Sequence, residues 1–368
     1  MATADAPSEA ERYCAWYGMP HEEILYFGQS AFWSAMRAQG GDPLADLRHA
    51  GPQWIGRFDL RAERFLAPLD VGQPDSRAGV WDVHAGAEGW IYFTTFFESA
   101  GRVDPASGRV ERFAALGRGL NELAPGSGGS LLATRYGSGE DAEGDGSVVS
   151  IDPTGRIQAE WTVAAPGGFR SAPKSVAWDR AREEIWITTD LLPRAVGEEI
   201  RHDAYVLDRS GAQKRRIAVP EIQFVTARAD GTLLRAEVEG GALRLRSVPP
   251  PGASRAARAV LLDARFPTAF DFVQDIQPAS RGRAVVTRWS GRVHVVNDEG
   301  RVASVDLPRL DPNGLYYTAV LAGDRLCATY CADVSVVCVD APSAAAAAAA
   351  PAAARGTPGG GGGHGEAP

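Results

Sequence analysis

A short phrase recurs along this chain and limits what it can fold into. An apolar run ends in a threonine that is followed by a polar or bulky residue, as in IYFTT (91–95), LLATR (131–135) and IWITT (185–189). The recurring positions are Thr94, Thr134, Thr188, Ala236, Thr287 and Thr329. They lie 40 to 54 residues apart, which is the length of one β-propeller blade. The repeat therefore predicts one register for the whole fold.

Each repeat consists of four strand-like pieces. A short strand A precedes the phrase, the phrase itself is strand B, and strand C tends to end in aspartate, as in GRVDP (101–105) and AYVLD (204–208). A turn and a strand D follow. Alternating β-branched and aromatic residues between glycine and Asp-Pro turns are typical of strands. Units of about four short antiparallel strands repeated in this way predict an all-β fold that is a single β-propeller.

The sequence favours seven blades, with six blades as the alternative. Residues of about 10–70 read as a divergent first copy, because IGRFDLRAERFLAPL (55–69) parallels GRVDPASGRVERFAAL (101–116). This copy gives seven blades. The last unit, at about 316–341, has no obvious strand D. The alternative is therefore six blades, with residues 64–69 closing the last blade as its fourth strand. Either ring removes the open edges of its sheets.

The propeller is expected to span residues 10–342, with segments of other character at both ends. Residues 1–9 are expected to be flexible. An insert at about 29–53 in the first blade reads as helical. The tail at residues 343–368 is rich in alanine, proline and glycine. It has no amphipathic face to dock against the propeller, and we expect it to be disordered.

Composition favours a cytoplasmic protein. The net charge of −8 argues against nucleic acid or an anionic membrane as a partner. The sequence shows no signal-peptide pattern and no apolar run long enough to span a bilayer. The preference for arginine over lysine reads as a bacterial-type, high-GC coding bias. The oligomeric state is left open.

We expect buried, inert thiols in a reducing compartment. The cysteines concerned are Cys14, Cys327, Cys331 and Cys338.

The mouth of the central channel is the expected binding site for a small-molecule ligand. Strand A is innermost and antiparallel to strand B, so the starts of A and the ends of B meet at one rim. Three long inserts, at 29–53, 136–147 and 190–203, read as loops that form a lid over this rim. The candidate ligand-binding residues there are Trp81, Asp82, Arg135, Asp190, Gln223, Gln274, Arg288, Trp289, Tyr317 and Tyr330.

Four residues of this rim are candidates for catalysis: Glu122, Lys174, Asp275 and His202. Lys174 is expected to pair with Asp190 or Asp275, to hold an anionic ligand, or to act as a base with a lowered pKa. A purely structural salt bridge is the alternative. His202 is of a type that serves as a general base near neutral pH. Its alternative is a loop histidine with only local hydrogen bonds.

The phrases SAPKSVAWDRAREEIWITTD (171–190) and GLNELAPGSGGSLLATRY (119–136) resemble repeats of the gluconolactonase and senescence-marker-protein family and of the virginiamycin B lyase group of propellers. The resemblance covers most of residues 79–341. It implies one divalent cation (Ca, Mg, Mn or Zn) on the channel axis. Asn121 matches an asparagine that binds the cation in the lactonase family, and Asp275 lies one position from a matching aspartate. Lys174 stands where a second asparagine would be.

Two interpretations of function remain open from the sequence. The first is a lactonase-like hydrolase or a lyase, in which Asn121 with Glu122 or Asp275 positions a cation or acts as base. Arg135 and Arg288 would then hold an anionic group of the substrate. The second is a non-catalytic propeller scaffold that binds a protein or a ligand on the same rim.

Overall fold

Seven four-stranded antiparallel sheets make up the described part of the chain. The computed structural model describes residues 2–5, 14–30, 53–72, 79–95, 100–113, 116–117, 119–137, 144–195, 197–218, 222–239, 242–254, 256–263, 273–310, 314–331 and 334–342. Within these ranges the sheets follow one another along the chain as the blades of a propeller. The predicted all-β, seven-bladed fold is confirmed.

The strands are numbered in chain order. Strand β1 (Ala2–Asp5) belongs to blade 7. Blade 1 contains β2 (Cys14–His21), β3 (Ile24–Ser30), β4 (Trp54–Asp59) and β5 (Arg64–Asp70). Blade 2 contains β6 (Asp82–Ala85), β7 (Ile91–Thr94), β8 (Ala100–Val103) and β9 (Val110–Phe113). Blade 3 contains β10 (Leu120–Pro125), β11 (Leu131–Arg135), β12 (Ser147–Ile151) and β13 (Ile157–Thr162). Blade 4 contains β14 (Phe169–Asp179), β15 (Glu184–Pro193), β16 (Arg201–Asp208) and β17 (Gln213–Ala218). Blade 5 contains β18 (Ile222–Ala227), β19 (Leu233–Glu239), β20 (Ala242–Val248) and β21 (Arg258–Asp263). Blade 6 contains β22 (Val273–Ala279), β23 (Arg283–Arg288), β24 (Arg292–Val296) and β25 (Val302–Asp306). Blade 7 contains β26 (Leu315–Ala322), β27 (Arg325–Cys331) and β28 (Val334–Asp340), followed by β1.

The ring is closed by the first strand of the chain. Strand β1 pairs antiparallel with β28, with Ala2 opposite Cys338, and it supplies the fourth strand that the last repeat lacks. The N-terminus is therefore not the flexible end that the sequence predicted, at least at residues 2–5. The six-blade alternative is wrong, because β5 completes blade 1 by pairing with β4. The predicted helix in the insert at 29–53 and the tail at 343–368 fall on residues outside the described ranges, apart from the last residues of β3 and Gln53.

Apolar clusters fill all seven junctions between neighbouring blades. Between blades 7 and 1, for example, Phe27 and Phe58 pack against Val320 and Val336. Burial of apolar surface at each junction stabilises the ring by roughly 25 cal/mol per Å². It also fixes the tilt of each blade, so that the first strands of the blades surround a common axis.

The recurring threonine holds strand A to strand B. In four blades its buried Oγ1 accepts a hydrogen bond from a backbone N–H of the first strand, at 3.0 to 3.2 Å. In blades 3, 4 and 7 this N–H lies at a β-bulge, where an extra residue disrupts the regular ladder. A buried N–H needs an acceptor, and the threonine supplies it. The four N–H donors belong to Asp82, Glu122, Ser175 and Thr318.

The cysteine expectation is wrong in one respect. Cys327 and Cys338 are buried, as predicted, but they lie opposite each other on β27 and β28 and form a disulfide. Cys331 is disulfide-bonded as well, and the side chain of Cys14 lies outside the described part of the chain. Disulfides persist mainly in oxidising compartments, so the argument from thiols to a cytoplasmic location no longer holds. None of the helices in the described ranges is both long and apolar enough to cross a membrane.

Candidate functional site

Bulges near the start of the first strand decide which side chains surround the channel. The pairing of the first and second strands is interrupted in six of the seven blades. A bulge inserts a residue and re-aims its side chain, which is how polar groups reach the axis of an otherwise apolar ring. Several of the predicted site residues lie inside these interruptions: Asn121, Glu122, Lys174, Gln223, Gln274 and Tyr317.

Three carboxyl groups from different blades lie close together in the channel. Asp82 accepts hydrogen bonds from two backbone N–H groups, at 2.8 and 2.7 Å. Asp275 accepts from Gln277 at 2.8 Å and from Thr318 at 2.7 Å. Burial raises the pKa of Asp82 to about 7 and that of Asp275 to about 6. Burial, followed by the charges of Asp82 and Asp275, raises the pKa of Glu122 well above its ordinary value. The cluster therefore retains protons near neutral pH.

Tyr17 lies beside this cluster and is a site residue that the repeat pattern did not single out. Its Oη donates to Gln274 Oε1 at 2.7 Å, and its ring packs edge-on against Tyr317 with 5.3 Å between centroids. Burial, and then the neighbouring Tyr317 and Glu122, raises its pKa well above the ordinary value. Tyr17 lies in the divergent first repeat, inside the bulge of β2, and no local sequence pattern identifies it.

A histidine and a carboxylate form a pair at the mouth. His202 Nδ1 lies 2.7 Å from Asp190 Oδ1. Burial works against ionisation of Asp190, but Lys174 and His202 outweigh it and hold the pKa of this carboxyl below its ordinary value. The His202 side chain is 47% exposed, so its Nε2 edge is accessible. Tyr136 is close to both Asp190 and Glu122, which, after burial, raise its pKa. The polar groups thus continue from His202 into the channel.

This pair lies on the extended strands of blade 4, which form one wall of the channel mouth. Strands β14 and β15 have 11 and 10 residues, whereas the equivalent strands of blade 2 have four each. Strand pairing continues through Asp190, which lies opposite His202 on β16. The segment 190–203, predicted as a lid loop, is therefore about half strand, because residues 190–193 end β15 and residues 201–203 begin β16.

Below the carboxyl groups the channel contains a cavity of roughly 270 Å³. Its walls include Met19, Phe224 and Gln277, and it extends to Pro20 and Pro278 near the far ends of the innermost strands. His84 also lines it, and burial lowers the pKa of this histidine to about 4. The imidazole is therefore neutral at physiological pH. Asp82, Glu122 and Asp275 line this cavity as well.

Three of the predicted ligand-binding residues point away from the channel. Arg135 pairs at 2.8 Å with Glu160 on the outermost strand of its blade. Arg288 pairs at 2.7 Å with Asp263 on the outermost strand of blade 5. Tyr330 packs inside the junction of blades 6 and 7. Side chains alternate along a strand, so the residue after the recurring threonine faces the opposite way from it. A role for these three in ligand binding stays a prediction.

The remaining predicted residues border the site. Trp81 packs near Tyr317 in a small cluster at the rim. Gln223 Oε1 accepts a hydrogen bond from the backbone N–H of Val273 at 3.2 Å, which ties blade 5 to blade 6. The carbonyl of Trp289 accepts the backbone N–H of Tyr316 at 3.5 Å, where the chain passes from blade 6 to blade 7.

The described residues are poorly suited to bind the divalent cation that the resemblance implies. Asn121 Oδ1 is buried without a hydrogen-bond partner in the described part of the chain, which suits a ligand atom. Asp275 Oδ2, however, is occupied by two hydrogen bonds, and the ammonium of Lys174 lies near Glu122. Within the described ranges, no three His, Cys, Asp or Glu side chains are grouped to hold a metal ion. Metal binding stays a prediction, and no chemical step below depends on it.

Comparison with known proteins supports the fold and goes no further. No known family model matches the chain, and no curated protein matches it in sequence. Among solved structures, a catalytically inactive histidine-to-alanine variant of virginiamycin B lyase from Staphylococcus aureus, crystallised with quinupristin, is similar. The TM-score is 0.58 at 11% identity, over 91% of this chain and 97% of that one. This protein thus shares the β-propeller fold of that lyase.

Proposed function

We propose that this protein is a small-molecule enzyme, a lyase or a hydrolase, whose general base is His202. The observation that carries the proposal is the 2.7 Å contact between His202 Nδ1 and Asp190 Oδ1 at an exposed position of the channel mouth. A carboxylate that accepts the Nδ1 proton fixes the tautomer and leaves Nε2 free to take a proton from the substrate.

The surrounding charges suit this role. Lys174 and His202 keep Asp190 ionised, and an ionised Asp190 stabilises the imidazolium that forms when Nε2 accepts a proton. The proton comes from a carbon of the substrate in an elimination, or from an attacking water in a hydrolysis. Lys174 also places a positive charge beside the pair, which would stabilise negative charge that develops on the substrate.

The structural comparison supports this proposal at a coarse level. A propeller of the same fold is a lyase, and the variant of it that was crystallised lost activity when a histidine was replaced by alanine. With 11% identity no residue correspondence is drawn. What the two proteins share under this proposal is a propeller fold whose activity depends on a histidine.

Activity measurements on a panel of lactones, esters and quinupristin test the proposal. We expect turnover of at least one compound by the wild-type protein. His202→Gln is expected to lower kcat/KM about 10²-fold to 10⁴-fold, because it removes the general base. Asp190→Asn is expected to lower kcat by up to about 10⁴-fold, because it disturbs the tautomer of His202.

His21→Gln is the matched control. His21 ends β2, at the opposite end of the innermost strand from the mouth, and this variant is expected to keep wild-type activity. Full activity of His202→Gln would contradict the proposal. Tight ligand binding without turnover of any compound would favour the non-catalytic scaffold instead.

A further inference from the structure

A second cavity opens at the junction of blades 5 and 6, on the face of the ring opposite the channel mouth. It has a volume of roughly 940 Å³, which is within the range of about 300–1,000 Å³ for small-molecule sites. Its wall includes Arg228 and Thr232 from the turn between β18 and β19, and this turn lies at the far end of the innermost strand from the mouth. The cavity is therefore separate from the site of His202.

The floor of this cavity is part of the apolar core between the two blades. Leu234, Leu245 and Val296 are almost completely buried and belong to the cluster that joins blade 5 to blade 6. Strand pairing places Leu234 opposite Ser247, and Ser247 opposite Arg258, so these three side chains share one face of blade 5. This face is thus apolar at its centre and carries a hydroxyl and a guanidinium group towards its edge.

An enlarged loop of blade 5 forms part of the rim of the cavity. Nine residues, 249–257, connect β20 to β21, whereas the corresponding connections of blades 1 to 4 and 6 have four to six residues. The loop begins with three consecutive prolines, whose rings fix φ. The carbonyl of Pro249 accepts a hydrogen bond from Arg182 of blade 4 at 3.0 Å, and that of Pro250 accepts one from the N–H of Ala253 at 3.2 Å. These restraints favour a cavity that is already formed before a ligand binds.

The charged groups of the wall cancel one another. They are Arg228, Arg258, Asp230, Asp298 and Glu299. Asp298 accepts a hydrogen bond from Arg228 on Oδ1 at 2.8 Å and one from Arg258 on its carbonyl oxygen at 3.2 Å. Glu299 pairs with Arg301 at 3.2 Å. Three guanidinium groups thus accompany three carboxylates, so an ionic ligand would gain no net attraction here and would lose hydration.

We propose that this cavity between blades 5 and 6 binds a neutral, largely apolar small molecule that carries a hydrogen-bonding oxygen. The apolar part of the ligand contacts the floor, and its oxygen accepts a hydrogen bond from Ser247 or Arg258. Burial of the apolar part supplies most of the affinity. Binding at this cavity requires neither His202 nor turnover, so it is independent of the proposed reaction.

Titration with 1-butanol, 1-hexanol, hexanoate and hexylammonium tests the site. Each compound is added to wild-type protein with labelled leucine and valine methyl groups, and binding is followed by NMR. We expect hexanol to shift the methyl signals of four wall residues: Leu234, Leu245, Val260 and Val296. Those of Leu131, in the junction of blades 2 and 3, are expected to stay unchanged. Hexanol is expected to bind about tenfold more tightly than butanol, because two more methylenes are buried. Hexanoate and hexylammonium are expected to bind about tenfold more weakly than hexanol, because each must lose the hydration of its charge.

Ala257→Trp is designed to fill the cavity, because Ala257 is an exposed residue of its rim. We expect this variant to fold like the wild type and to abolish the hexanol shifts of Leu245 and Val260. Ala212→Trp is the matched control, because Ala212 is exposed as well and lies in the corresponding connection of blade 4. The control variant is expected to bind hexanol like the wild type.

The site is overturned if the four wall signals stay unchanged up to the solubility limit of hexanol, or if Ala257→Trp binds hexanol like the wild type. Equal affinity for hexanoate or hexylammonium would overturn the assignment of a neutral ligand. Should His202→Gln remain fully active while hexanol binds as expected, the proposed reaction fails and this site stands.

Discussion

Three acidic residues on the channel axis are held where they prefer to be neutral. Asp82 and Asp275 are almost completely buried, and burial raises the pKa of both. The charge of Lys174 lowers the pKa of Glu122 but does not outweigh burial and its two acidic neighbours. Each of these groups binds its proton more tightly in the folded than in the unfolded protein. Stability is therefore expected to fall as pH rises from about 4, the ordinary carboxyl pKa, to about 7.

Glu122→Gln is expected to reduce this loss of stability, because the amide cannot ionise. Between pH 5 and pH 8 the free energy of unfolding of the variant should decrease less than that of the wild type. The sign of this difference follows from the raised pKa of Glu122, because a proton that is held more tightly in the folded protein makes stability fall as pH rises. Urea denaturation at both pH values measures it.

The exposed Glu299, whose side chain is 69% exposed, offers the matched control. Glu299→Gln is expected to keep the wild-type dependence on pH. An unchanged pH dependence in Glu122→Gln would show that Glu122 is ionised in the folded protein at pH 5.

The sequence predicts the positions of the site residues only in part, because one rule places some of them and a second rule is needed for the others. The starts of the innermost strands were predicted to meet, and the structure brings Glu122, Lys174 and Asp275 together there. Arg135 and Arg288 were expected at the same rim, yet both turn outward to acidic partners. The register of the repeat gives the position of a residue along its strand. Only the alternation of side chains shows to which face of the blade that side chain points.

At the scale of elements, bulges and strand lengths account for what the sequence did not show. The bulge at Lys174 depends on backbone pairing that residue type does not reveal. The extension of blade 4 includes residues 190–193 and 201–203, whose charged side chains read as a loop in the sequence. Asp190 and His202 were both selected from the sequence, but their contact required the two strands to continue past the ring.

The disulfide in blade 7 provides the prediction at this scale. Without reductant, peptide mapping by mass spectrometry should recover Cys327 and Cys338 as one linked peptide. The double variant Cys327→Ser with Cys338→Ser should lose about 2–3 kcal/mol of unfolding free energy, because the bridge closes a short loop of sequence separation 11. Urea denaturation measures the loss, and Ser335→Ala on the same strand serves as the control. Recovery of both cysteines as free thiols would contradict the structure.

At the scale of the whole molecule, the repeat predicted the ring and its seven blades, because each repeat buries its faces against its neighbours. It did not predict how the ring closes. The last repeat lacks a fourth strand, and the four residues of β1 that supply it are too few to show a strand pattern. Closure places blade 1 beside blade 7, and so brings Tyr17 next to Gln274 and Tyr317. This contact between the two ends of the chain is invisible to local pattern.

The tautomer of His202 is the property on which the proposed chemistry depends most, and long-range proton–nitrogen NMR observes it directly and without a substrate. In the wild-type protein we expect the neutral form of the His202 imidazole to carry its proton on Nδ1, held by Asp190. In Asp190→Asn this preference should be weakened or lost. A wild-type His202 with its proton on Nε2, or one whose tautomer is the same in Asp190→Asn, would contradict a base positioned by Asp190 at the channel mouth.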